Sequence, residues 1–266
     1  RALWDRLSKS DKHKKRFRPN FDYGQLAERR RTAAQMLSNP LVLRTFLEVY
    51  AGRKLPESPS RTALQQAWWE RLGQRIRDGN QLLLDLARMC MEQKVQALDL
   101  DALYRDPRTE GAVSKTGVAV AFTRLESREG VLGMIRGGRT EVVFTMDRYL
   151  EQAAGAALVQ DGKALTPQAL LEAHSQLDGW PLRDESVRSA LEQRVAQSGR
   201  QFLWDFIDEG GEAASQLAAD ALARMVLDTG KPEEVAAQLM QRPTAGDVHV
   251  ARAAAELLGH ELQYEF

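Results

Sequence analysis

Apolar residues recur every three to four positions along most of this 266-residue chain, which is the spacing of one face of an α-helix. The segment from Arg61 to Arg77 shows the pattern most clearly. Its apolar stripe consists of Leu64, Trp68, Leu72 and Ile76. Alanine-rich segments with the same periodicity follow in the C-terminal half. The sequence therefore predicts a mainly helical fold.

The overall charge gives no reason to expect a nucleic acid or a membrane surface as partner. Lysine plus arginine equals aspartate plus glutamate, at 37 residues each, and the hydrophobic fraction of 43% suits a soluble globular protein. No signal peptide or uncharged membrane-length segment is visible, so we expect a cytoplasmic location. Because the chain opens at Arg1 without methionine, we expect it to be a fragment of a longer protein.

We predict a first helical domain over residues 1–79. A helix is expected from Gly24 to Leu37 on propensity. Asn39 then has the side chain of an N-cap, and Pro40 suits the first helical position, where a missing N–H costs nothing. This second helix is expected to close at Gly52. The Arg61–Arg77 helix follows, and a turn at Asp78-Gly79-Asn80 is predicted to end the domain.

Residues 80–162 are predicted to form a second domain with the element order of a winged helix. A helix runs through LLLDLARMCMEQ, and Asp99 or Asp101 opens a short helical segment. A third helix is expected from about Ser114 to Glu129. Two extended runs, VLGMIR and TEVVFT, are joined by Gly137-Gly138, which indicates a β-hairpin. A further helix, Met146–Leu158, completes the domain.

Residues 163–266 are predicted to form an irregular array of helical hairpins, solenoid-like or a plain bundle. The expected helices are PQALLEAHSQL, ESVRSALEQRVAQ, RQFLWDFID, EAASQLAADALARMVL, PEEVAAQLM and VHVARAAAELLG. No strict repeat period joins them.

Motifs for catalysis or metal binding are missing from the sequence. There is no GxxxxGK[ST] phosphate loop and no GxSxG. The four histidines have no second ligand at metal spacing; they are His13, His174, His249 and His260. Cys90 lies in an apolar run typical of a buried thiol, and Asp147 and Glu151 are best explained as a solvated helix face. We therefore predict no enzyme activity and no metal site in this chain.

The sequence does resemble one family. The order LSNPLVLRTFLEVYAGRKLP, a tryptophan-rich helix, a predicted winged helix and FTMDRYLEQAAGAAL is similar to the region after the ATPase core of NACHT-type STAND (signal-transducing) NTPases. In that family an "NPL.L" helix places its proline against the base of the bound nucleotide. A winged helix then ends in a motif resembling "F.F.H..F.EYL.A", and a helical sensor arm follows. The resemblance covers about Phe21 to Leu158.

The resemblance implies roles for particular residues. Asn39, Pro40 and Leu41 would form the nucleotide-facing helix start, opposite an ATPase core outside this sequence. Phe144 and Tyr149 would be buried anchors of the winged-helix motif. The family's histidine, which often contacts the terminal phosphate of ADP, is replaced here by Met146, so that contact is not expected.

The function implied by the resemblance is regulatory. The chain would hold a closed state around ADP and relay a trigger to nucleotide exchange and homo-oligomerisation, with a hinge near Arg77–Asn80 or Ala156–Leu165. Its partners would be the N-terminal NTPase core of the same protein and a protein trigger at the helical array. ATP or ADP with magnesium would bind only in the longer protein.

Two other classes of function remain open. A winged-helix DNA-binding regulator with a helical ligand or dimerisation domain would place the third helix in the major groove. That helix offers few polar contacts to DNA, namely Lys115, Thr116, Arg124 and Arg128. Nucleic acid is therefore the less favoured partner. A helical scaffold without a switch is the other alternative.

Overall fold

The fold is mainly helical, with one small three-stranded antiparallel sheet. The computed structural model describes residues 40–50, 61–76, 79–109, 119–199, 201–229, 236–238 and 240–241. Asn39, Gly52 and the predicted helices Gly24–Leu37 and VHVARAAAELLG lie outside these residues. Within the described residues no helix is both long and apolar enough to cross a membrane.

Helices α1 (Pro40–Val49) and α2 (Arg61–Arg75) form the first part of the described chain. The prediction that Pro40 begins a helix is confirmed. The predicted stripe of α2 is also confirmed, because its four apolar members are buried: Leu64, Trp68, Leu72 and Ile76. These side chains fill the contact between α2 and its neighbours, which fixes the orientation of α2.

Helix α3 (Gly79–Gln93) begins earlier than predicted, so the expected turn at Gly79-Asn80 is wrong. The Gly79 N–H donates to the Ile76 carbonyl at 2.9 Å. A methyl group at position 79 would lie 2.8 Å from Ile76 Cγ2, so this glycine permits the close approach of Ile76 to the start of α3.

A short strand, β1 (Ala97–Asp99), and helix α4 (Leu100–Arg105) follow α3. Of the two predicted candidates, Asp99 and Asp101, it is Asp99 that caps α4: its carboxylate accepts from the N–H groups of Asp101 at 2.8 Å and Ala102 at 3.3 Å. The strand itself was not predicted from the sequence.

The third predicted helix is observed as α5 (Ala119–Arg124), which continues into a π-helical turn at Leu125–Glu129. Gly130, with a left-handed φ of 63°, ends this turn. The predicted hairpin is confirmed as β2 (Leu132–Arg136) and β3 (Thr140–Phe144).

Strand β3 is the centre of the sheet, whose order is β1-β3-β2. Leu98 pairs with Val142 across one side of β3, and Met134 pairs with Val142 across the other. Leu98, Leu132 and Val142 are buried, so one face of the sheet packs on the core.

Four helices complete the described chain: α6 (Asp147–Gln160), α7 (Pro167–Gln176), α8 (Arg183–Ser198) and α9 (Gln201–Thr229). The prediction of two helices between residues 200 and 227 is wrong, since α9 runs through Gly210. A methyl group at position 210 would lie 2.1 Å from Ala214 Cβ on the same helix and 3.0 Å from Leu171 Cδ1 on α7, so Gly210 lies in a crowded part of α9 and does not end the helix.

Helix α6 lies at the centre of the packing, between α3 and α8, while α9 contacts α7, α8 and α2. Buried side chains of all these elements belong to one hydrophobic cluster. The boundaries predicted at residues 79 and 162 therefore fall within a shared core, and as domain boundaries they stay predictions.

Candidate functional site

A small open pocket lies where α1, α2 and α6 meet, with a cavity volume of about 30 Å³. Most of its wall is apolar. Its lining side chains are Val42, Thr45, Leu64, Gln65, Trp68, Arg148, Tyr149 and Gln152. The pocket thus joins the helix that begins at Pro40 to the helix that carries the FTMDRYL motif.

Two aromatic rings form the apolar wall. Trp68 and Tyr149 are stacked, with ring centroids 5.0 Å apart and an interplanar angle of 18°. Trp68 belongs to the buried stripe of α2. Tyr149 is half-buried in the first turn of α6. Each ring covers a face of the other, so the stacked pair holds α2 against α6.

The rim of the pocket is polar and connects α2 to α6. The Gln65 side-chain oxygen accepts from Arg148 Nε at 2.8 Å in the amide orientation that satisfies both groups. Gln152 Nε2 donates to the Gln65 backbone carbonyl at 3.3 Å. Arg148 and Gln152 stand four residues apart on α6, so both reach the same face of α2.

The three predicted nucleotide-facing residues are only partly described. Asn39 lies outside the described residues. Pro40 and Leu41 are the first two residues of α1, and their side chains lie outside the described part of the structure. Val42 and Thr45, which follow within the first two turns of α1, line the pocket. The start of α1 and the pocket are therefore neighbours.

The predicted anchors of the FTMDRYL motif are less buried than expected. Phe144 and Tyr149 are both half-buried and pack against the hydrophobic cluster. Both side chains stay partly exposed because Phe144 lies at the end of β3 and Tyr149 borders the open pocket. Met146 precedes α6 as its N-cap without a side-chain hydrogen bond and is 39% exposed.

A second set of contacts joins α1, α2 and the turn after α5. Arg75 pairs with the buried carboxylate of Glu48, and its Nη1 lies 3.6 Å from Glu129 Oε2. Arg71 Nη1 donates to the Val49 carbonyl at 2.7 Å. Sequence reasoning missed these residues, because nothing in a single sequence indicates which charged helix faces meet.

Titratable groups elsewhere in the described structure do not assemble into a metal site; no group of three or more histidine, cysteine or carboxylate side chains has suitable geometry there. Burial raises the pKa of the Cys90 thiol to about 12, so Cys90 is a protonated core side chain at neutral pH. His174 Nε2 lies 2.8 Å from Asp184 Oδ1. Asp147 is exposed and Glu151 is half-buried on α6, one turn apart.

Comparisons with models of known protein families, with curated proteins and with solved structures found no match for this chain.

Proposed function

We propose that this chain is the regulatory, non-catalytic portion of a STAND-type NTPase, acting in the cytoplasm. The observation that carries the proposal is the pocket between α1, α2 and α6. One wall belongs to the helix that starts with the NPL residues, and another belongs to Arg148 and Tyr149 of the FTMDRYL motif. These are the two motifs on which the family resemblance rests, and they are 105 positions apart in sequence when counted from Asn39 to Phe144.

The element order supports a winged helix as the middle unit of this switch. Helix α3, strand β1, helices α4 and α5, and the β2–β3 hairpin follow one another, with β3 between β1 and β2. Helices α7 to α9 would then be the beginning of the sensor or linker arm, to which a protein trigger binds.

In the proposed mechanism an NTPase core on the N-terminal side binds ADP or ATP with magnesium. The Asn39-Pro40-Leu41 helix start covers the nucleotide base, and the winged-helix unit holds the closed state. A trigger at the helical arm shifts the equilibrium towards an open state, nucleotide exchanges, and the protein oligomerises. The movement would occur near residues 77–80 or 156–165.

Substitution of Pro40 in a protein that includes the NTPase core tests this proposal. Pro40→Ala removes ring methylenes from the nucleotide base but keeps the helix start, because nitrogen at the first helical position makes no helical hydrogen bond. We expect ADP to dissociate about fivefold faster, which corresponds to roughly 1 kcal/mol of lost apolar contact.

The matched control is Pro167→Ala, since Pro167 begins α7 after the N-cap Thr166 in the same way. This control should leave ADP dissociation unchanged. Equal ADP dissociation rates in wild-type protein and the Pro40→Ala variant would contradict the role of Pro40.

A DNA-binding regulator is the second candidate, and one observation favours it. Arg136 and Arg139 are exposed around the turn of the β2–β3 hairpin, where a wing contacts phosphates. A sequence-specific DNA complex that persists at physiological salt and is lost on Arg136→Ala and Arg139→Ala substitution would select this function over the NTPase switch.

A further inference from the structure

One guanidinium connects the first two helices to the predicted middle unit. Arg75 is the last residue of α2, and it faces two carboxylates from different elements. One is Glu48 of α1, with which Arg75 Nη1 forms a hydrogen-bonded ion pair. The other is Glu129, whose Oε2 lies 3.6 Å from the same nitrogen. Arg75 therefore contacts α1 and the turn after α5 at the same time.

The two contacts of Arg75 differ in strength. Nη1 lies within hydrogen-bonding distance of Glu48 Oε1, whereas 3.6 Å to Glu129 Oε2 exceeds the range of an N–H···O hydrogen bond. The Arg75 side chain is also 29% exposed, and ion pairs with partly exposed members stabilise a fold only weakly. Glu48 is therefore the tight partner of Arg75, and Glu129 is the loose one.

The tight contact lies within the pair of helices α1 and α2, which we call the α1–α2 unit. Arg71, one turn before Arg75, adds a hydrogen bond from Nη1 to the Val49 carbonyl at 2.7 Å. Glu48 is buried, and a buried carboxylate that loses its guanidinium is strongly destabilising. If the α1–α2 unit moves away from the middle unit, Arg75 leaves Glu129 but keeps Glu48. Opening at this point therefore does not separate the buried pair.

The position of Glu129 depends on the π-helical turn. The Gly130 N–H donates to the Leu125 carbonyl, five residues earlier, instead of four residues as in an α-helix. Each residue added to a helical turn rotates the side chains that follow by about 100°. Glu129 is the last residue of this turn, so the turn determines the direction in which its side chain leaves the backbone. Such turns are rare in helices and are frequent at functional sites.

We propose that the contact between Arg75 and Glu129 holds the α1–α2 unit against the middle unit in the closed state and is released on opening, while Arg75 stays paired with Glu48. Arg75 and Glu129 are positioning residues in this account. Their regulatory role rests on the proposed function, but the contact itself can be tested in the 266-residue chain without nucleotide.

Thiol labelling measures the separation. The side chain of Gln152 on α6 is buried and donates to the Gln65 backbone carbonyl of α2, so the thiol introduced by Gln152→Cys reacts when α2 moves away. Cys90 on α3 is 1% exposed and reports opening of the core in the same sample. Where opening and closing are fast, the labelling rate follows the fraction of open molecules.

In the Gln152→Cys background, Glu129→Gln should speed labelling at position 152 by about two- to fivefold, because a partly exposed ion pair is lost. Glu126→Gln is the matched control, since it removes a carboxylate from the same turn. It should leave the rate unchanged. Cys90 should react more slowly than the introduced thiol in every variant, because its labelling requires the core to open.

Glu48→Gln distinguishes separation of the α1–α2 unit from its unfolding. If the unit separates intact, the pair between Arg75 and Glu48 is present in both the closed and the open state. Glu48→Gln should then not speed labelling at position 152. If α1 and α2 instead unfold locally, this pair is lost on opening, and Glu48→Gln should speed labelling as Glu129→Gln does.

Two outcomes would overturn the proposal. Equal rates for Glu129→Gln and its parent would mean that the contact at 3.6 Å does not hold the units together. Equal acceleration by Glu48→Gln and Glu129→Gln would mean that the α1–α2 unit unfolds and does not separate. Leu64→Cys on α2 gives a second reporter at the same contact if Gln152→Cys melts early. Because no nucleotide is present, a negative result here is distinct from a failure of the ADP dissociation experiment on Pro40.

Discussion

Helix α6 makes two contacts of opposite character. On the side of α8 the backbones approach closely through small residues: Ala153, Ala154, Gly155, Ala157 and Ala190 are all buried. A methyl group at position 155 would lie 2.7 Å from Ser189 Cβ and 2.8 Å from Ala190 N. This contact depends on complementary backbone shape.

On the side of α2 the contact is made by long side chains around an open pocket. Trp68 stacks on Tyr149, and Gln65 is hydrogen-bonded to Arg148 and Gln152. Polar groups at such a rim can exchange their partners for water when the helices separate, at little net cost. The comparison predicts that α1 and α2 separate from α6 at a lower free energy than α8 does.

The largest effect is expected at the small-residue contact. Gly155→Ala should lower the free energy of unfolding by about 2–3 kcal/mol, because the new methyl group meets backbone that cannot turn away. Chemical denaturation measures the change.

The control for Gly155 is Gly73→Ala on α2, where a methyl group would lie 2.7 Å from the side-chain amide of Asn80. Because a side chain can rotate and alanine favours helix, this variant should stay within about 1 kcal/mol of wild type. Equal losses at both positions would mean that the backbone contact at Gly155 tolerates a methyl group as well as the side-chain contact between Gly73 and Asn80 of α3 does.

A moderate effect is expected at the ion pair between α1 and α2. Arg75→Gln leaves the buried Glu48 carboxylate without its guanidinium and should lower the free energy of unfolding by about 1–2 kcal/mol. Exposed Arg44 on α1 provides the control, and Arg44→Gln should change stability by less than about 0.5 kcal/mol.

Equilibrium denaturation of both variants measures this difference. If Arg75→Gln were as stable as Arg44→Gln, the Arg75 contact would not hold α1 on α2, and the contact between these helices would depend on apolar packing and on the Arg71 hydrogen bond to the Val49 carbonyl.

The smallest expected effect is a pH dependence of the stability of the contact between α7 and α8. Burial of Asp184 raises its pKa, but hydrogen bonds from His174 and Arg183 outweigh this and hold the pKa below its ordinary value. A lowered carboxyl pKa stabilises the fold above about pH 4 and loses that contribution as the pH falls through the folded-state pKa. Asp184→Asn should therefore cost about 0.5 kcal/mol or less at pH 7 and nothing in strong acid.

Thermal melting between pH 2 and 7, which spans about the range of carboxyl titration, measures the effect. Exposed Glu172→Gln on α7 is the control and should show a smaller difference from wild type. A difference for Asp184→Asn that grew towards low pH would contradict the lowered pKa.

Local patterns in the sequence predicted much of the fold. Pro40 begins α1, Asp99 caps α4, and Gly137-Gly138 joins the hairpin, because each depends on backbone chemistry within a few residues. Strand β1 was missed because three residues are too few to show alternation. Gly210 was predicted to separate two helices, although it lies within α9, where Ala214 and Leu171 leave little room for a side chain.

The candidate site was less predictable from the sequence, because it depends on contacts between residues that are far apart in the chain. The resemblance to STAND NTPases pointed to Pro40, Leu41 and Tyr149, but the sequence does not say which helix faces meet. Gln65 and Gln152 are 87 positions apart, and their contact depends on how α2 and α6 cross. The rim of the pocket therefore became visible only in the folded arrangement.

Native-state hydrogen exchange of the 266-residue chain tests most directly whether α1 and α2 can separate from α6 while α6 and α8 stay together. The difference between the two contacts predicts that amides of α1 and α2 open with a free energy at least about 2 kcal/mol below that of α6 and α8. Amides of α6 and α8 should share one opening free energy, because their backbones are in close contact. A single opening free energy for all four helices would contradict the separation of α1 and α2 from α6. It would also contradict the structural basis of the proposed switch.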